Sequence, residues 1–149
     1  MKHIWTVLCQ KSSIDFETNL LSLFNCIEEI NLTIDKSKAP SGNLVIPAEL
    51  ELISYWLVEN TDKDNTLNIK GELLDPDNKV LNVFENSFPI AKEILRFRNR
   101  THIQNLPISK AGRYKFVMYQ KNIKGIFQVV AELPLDVNIS YKIIDLQKN

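Results

Sequence analysis

Glycine is scarce in this sequence, with four in 149 residues, and histidine and cysteine are scarcer still at two each. Each shortage closes a route to function. There is no glycine loop to cradle a phosphate and no G-x-S-x-G elbow to present a nucleophile. Two histidines and two cysteines without close ligand spacing do not make a zinc site of the Cys/His type. No apolar run approaches the eighteen or so residues of a membrane span. The opening "MKHIWTVLC" is too short for a secretory signal and no small-residue cleavage pattern follows it. Formal net charge is zero, so the chain as a whole would attract neither nucleic acid nor an anionic membrane. These shortages predict a cytoplasmic protein with no cofactor, no metal and no membrane partner.

What is present is ordinary globular material. A content of 44% hydrophobic and 24% charged residues suits a packed core, and 149 residues predict one domain over 1–149. A core of that size needs no covalent staples. A hairpin about a connection at 12–19 would set Cys9 near Ser22 and Cys26 near Trp5, too far apart for disulfide geometry. Two free, buried thiols in a reducing compartment are the expectation. Charge is unevenly spread: residues 1–74 carry six Lys or Arg against eleven Asp or Glu, and residues 75–149 carry twelve against seven. Such a division marks either an interaction surface or two halves whose charges meet in the fold, and the second is preferred.

Short β-rich runs alternate with turn chemistry along the whole chain. "HIWTVLC" reads as a strand. Residues 20–30 fit either a helical stripe or a strand buried on both faces, and the flanking "DFETN" and "NLTID" favour the strand. "KSKAPSGN" (36–43) reads as a loop. In "PAELELISYWLVEN", Leu50, Leu52, Trp56 and Val58 face one way and Glu49, Glu51 and Glu59 the other. Ile53, Tyr55 and Leu57 intrude on the glutamate side, so its middle is expected to be covered on both faces. "TLNIKGELL" points Leu67, Ile69 and Leu73 inward, between turns at 61–65 and 75–78. "IAKEIL" (90–95) suggests a helical turn. Tyr114, Phe116 and Met118 share one face, a short hairpin at 121–125 follows, and "VNISYKII" reads as an edge strand beyond Pro134.

Eight or nine strands with at most one short helix predict an all-β, two-layer antiparallel β-sandwich. The sequence "LPISKAGRYKF" followed by "VVAELPLDV" resembles the late strands of immunoglobulin-like domains, with Tyr114 near a corner. "SLFNCIEEI" with "PAELELISYW" resembles an uncharacterised family of small bacterial β-sandwich proteins. That resemblance covers most of the chain and implies a fold, not an activity.

Catalytic constellations are not found. His3 and Cys9 are separated by about 20 Å of strand, and the neighbours Glu28 and Glu29 would point to opposite faces. The acidic turns at 61–65 and 75–78 flank a single strand, so they emerge at opposite ends and cannot share a calcium ion. The strongest polar feature is "RFRNRTHIQ" (96–104), which as a strand sets Arg96, Arg98, Arg100 and His102 in one row about 20 Å long. With Arg113 nearby, this row is the candidate site for an anion, a nucleic acid or a phosphorylated ligand. The competing reading is a wet sheet face whose arginines pair with Glu49, Glu51 or Glu59 across a neighbouring strand. A non-catalytic module that binds another protein, or itself, is the preferred function.

Overall fold

The structure is a computed structural model that describes residues 1–38, 42 and 44–142. It is all-β, with strands β1 (Lys2–Ile14), β2 (Leu21–Cys26), β3 (Glu29–Asp35), β4 (Leu44–Leu57), β5 (Asn65–Leu74), β6 (Val80–Ile90), β7 (Arg96–Ile108), β8 (Gly112–Lys121) and β9 (Phe127–Lys142). Among the described residues the one helical element is a 3-10 turn at Lys36–Lys38. Part of the expected loop at 36–43 and the end of the chain after 142 lie outside the described residues. Four strands make one sheet in the order β2-β1-β4-β7, and five make the other in the order β3-β9-β8-β5-β6.

Period-two patterning places the core as expected. Leu50, Leu52 and Trp56 of β4, Leu67, Ile69 and Leu73 of β5, and Tyr114, Phe116 and Met118 of β8 join one buried cluster fed by both sheets. Trp56 is fully buried and its indole N–H donates to the Asn99 Oδ1 at 2.7 Å. Tyr114 is equally buried. Its hydroxyl accepts the Ser109 and Lys110 N–H groups at 2.9 and 3.0 Å and donates to the Lys110 carbonyl at 2.7 Å, closing the β7–β8 corner.

Four expectations need correction. Residues 20–30 are extended, but as two strands that serve different sheets: β2 pairs with β1, and β3 with β9. The β3–β9 pair is parallel, so the sheets are not wholly antiparallel. The same pairing makes β9 an interior strand rather than an edge. Pro134 falls just before β3 joins at Asp136, on a stretch with no ladder partner to lose on that side. Finally, 90–95 is a turn between β6 and β7 rather than a helical one, with Glu93 at φ 72° and Asp64 accepting the Lys92 N–H at 2.8 Å.

The β1–β2 hairpin leaves the four-stranded sheet partway along its length. β1 pairs with β4 only as far as Cys9. Continued straight, Ile14 would lie about 30 Å from Trp5 by strand rise. Instead Leu21, the register partner of Ile14, lines one hollow with Trp5, Leu23, Tyr55 and Arg98. The hairpin therefore folds back as a flap over the face of the four-stranded sheet that points away from the core. Asn25, with φ 52°, lies at the bend and supplies a backbone conformation that asparagine tolerates better than most residues. The flap explains why Ile53 and Glu51 are buried, the double coverage that the intruding apolar residues predict.

Candidate functional site

β7 is the edge strand of its sheet, and its Arg96, Arg98, Arg100 and His102 all lie on the face beneath or beside the flap. Their register partners on β4 are Leu57, Tyr55, Ile53 and Glu51. The row is real, yet most of it is already engaged. Arg98 donates twice to the Asn19 carbonyl at the flap's tip, at 3.1 and 3.2 Å. Arg100 and His102 each stand 3.6 Å from Glu51 Oε1. Arg96 is exposed. Arg113 is not part of the row: it sits on β8 in the other sheet, opposite Asp136, and donates to both carboxylate oxygens at 2.7 and 2.9 Å. That bidentate pair holds the Asp136 carboxyl below its ordinary value and pushes the Arg113 guanidinium up.

Glu51 is the pivot of this face. The Ser12 hydroxyl donates to its Oε2 at 2.5 Å. Burial works against its charge, but hydrogen bonds from the Ser12 side chain and N–H, with Arg100 and His102 beside it, outweigh that cost and lower its pKa. Of the three glutamates expected opposite the row, Glu51 takes that place. Glu59 instead meets the N-terminal ammonium of Met1 at 3.1 Å. Glu49 joins Gln10, Lys11, Glu51, His102 and Gln104 around a cleft of about 400 Å³ at the bend of the flap.

Register sets Cys9, Glu51 and His102 side by side across β1, β4 and β7. The order of the three is wrong for nucleophilic catalysis. The carboxylate stands between thiol and imidazole, and two strand spacings hold those apart by about 10 Å. Burial, then the charge of Glu51, push the Cys9 thiol up, the opposite of activation. His3 lies on the other face, its Nε2 sharing a hydrogen bond with Thr6 Oγ1 at 2.7 Å and its ring 4.8 Å edge-on from Trp56. Among the described residues no group of three or more His, Cys, Asp or Glu side chains could hold a metal ion, and no helix is long and apolar enough to cross a membrane.

The flap carries apolar groups, Phe16 and Leu20, that the sequence places only on the helical stripe weighed against a strand, not on a surface. Phe16 at its tip is 100% exposed and Leu20 66%, beside the hollow of about 240 Å³ lined by Trp5, Leu21, Leu23, Tyr55 and Arg98. A phenylalanine inside the turn composition of "DFETN" is the sequence mark of an exposed position. No family model matches this sequence, and no curated protein matches it either.

Proposed function

We propose that this protein is a non-catalytic binding module, a cytoplasmic bacterial domain of the two-layer, immunoglobulin-like sandwich type, that engages another protein through its flap. The carrying observation is the fully exposed Phe16 in the same turn as exposed Leu20, on the flap whose Leu21 and Leu23 line the hollow with Trp5 and Tyr55. Large apolar groups clustered on a surface are costly to leave wet and mark protein contacts. The corner formed by Tyr114 supports the immunoglobulin-like reading, as does a core fed from both sheets. Anion binding by the basic row has less support, since Arg98, Arg100, His102 and Arg113 all have partners within the chain.

A photo-crosslinking amino acid at position 16, with a second protein carrying it at Glu85 on β6, tests the reading in the source cell. Adducts with one defined protein from position 16, lost in a Leu20→Ser background, are expected. Equal adducts from both positions would overturn it. Adducts between two copies of the chain would make the partner a second copy.

A further inference from the structure

The two cysteines, expected to stand several residues apart and both buried, are register partners: Cys9 on β1 is directly opposite Cys26 on β2. The Ile27 N–H donates to the Leu8 carbonyl at 2.9 Å, which makes the adjacent Cys9–Cys26 position a non-hydrogen-bonded pair. Cα atoms in such a pair stand about 4.5 Å apart, with side chains leaving the same face, inside the roughly 4.4–6.8 Å range of disulfides. Both thiols are free, and they differ in access: Cys9 is buried and Cys26 exposed.

We propose that Cys9 and Cys26 form a redox-responsive site that closes to a cross-strand disulfide when the protein meets a small-molecule disulfide. Cys26, being accessible, loses its proton and attacks one sulfur of the small disulfide. A mixed disulfide forms and one thiolate leaves. The Cys9 sulfur then loses its proton and attacks Cys26 Sγ, breaking the mixed bond and releasing the second thiolate. Both protein thiols are oxidised by one electron each, the small disulfide is reduced to two thiols, and the two protons released by the protein go to them. The location gives the bond a consequence. β1 leaves β4 after Cys9, and Asn25 beside Cys26 carries the positive φ of the bend. The disulfide ties the base of the flap.

The test incubates the folded, full chain with excess oxidised glutathione, alkylates remaining thiols and measures intact mass and crosslinked peptides. The expected product lacks two hydrogens, takes up no alkylating agent, links the Cys9 and Cys26 peptides and reverts with dithiothreitol. Cys9→Ala should stop at a glutathione adduct on Cys26, and Cys26→Ser should stay unmodified. The melting midpoint of the closed form should rise, since the bond restricts the unfolded chain. A wild-type protein that keeps glutathione on Cys26, closes only under unfolding denaturant, or melts earlier once closed would overturn the proposal.

Discussion

His3 is a polar residue on an apolar face, and its surroundings decide its charge. Burial disfavours the imidazolium, against a smaller pull from a hydrogen bond with the Trp5 backbone, so the group titrates below its ordinary 6.5. Its hydrogen bond runs on from Thr6 to Ser54 at 2.8 Å, a chain that a neutral ring completes. A folded value below the unfolded one means that the unfolded state binds the proton first. The contribution is fully present above about pH 6.5 and is lost as pH falls through the folded value. The depressed carboxylates, Glu51 among them, act in a lower window, below about pH 4.5. Urea midpoints should therefore fall between about pH 7.5 and about pH 5, and His3→Gln should flatten that fall. An unchanged slope in the variant would refute the assignment. None of this was legible beforehand: alternation gives the face a side chain takes, whereas the bulge between His3 and Trp5 that turns the ring onto Trp56 has no sequence mark.

At the scale of elements, the flap is held by few contacts. Ser12 on Glu51 and Arg98 on the Asn19 carbonyl are anchors the described residues show, and Leu21 and Leu23 line a hollow shared with Trp5 and Tyr55. Regions with little buried apolar contact open before the core does. Leu23→Ala should cost about 1–2 kcal/mol, below the range for a fully buried leucine because Leu23 is only half-buried. Hydrogen exchange should quicken across residues 11–24 while β5, β8 and β9 keep their protection. Uniform loss of protection would mean that the flap is part of the cooperative core. The sequence did announce this element in part. Ile53 and Tyr55 on the glutamate side of β4 required cover, and cover is there. What supplies it was hidden, because the fold-back starts near Asn25, whose φ is positive, and depends on tertiary contacts. The hairpin register was missed for a local reason: the turn lies at 15–20, where Asp15 Oδ1 accepts the Thr18 N–H at 2.7 Å and Asn19 takes φ 54°. A turn placed two residues too early moved Cys9 away from Cys26.

At the scale of the molecule, the acidic first half and the basic second half meet less than the charge count suggested. Glu51, with Arg100 and His102, joins the two halves. The pairs Lys70–Glu72, Lys110–Asp77 and Arg113–Asp136 each lie within one half. Most ion pairs are local to one half, and within the basic row one carboxylate, Glu51, faces Arg100 and His102 while Arg98 bonds a neutral carbonyl. A nucleic-acid site needs guanidiniums free to displace counterions, together with exposed stacking platforms. Here Arg98 is spent on the flap, and Phe97, between the arginines in sequence but on the opposite face, packs against Phe88 with ring centroids 5.4 Å apart. The protein should therefore bind a fluorescent single-stranded oligonucleotide weakly or not at all, even at low salt. Arg98→Glu with Arg100→Glu should change that binding little while loosening the flap. Tight binding that weakens steeply with added salt and disappears in the double variant would reverse the reading, because it would require the row to leave its internal partners for phosphate.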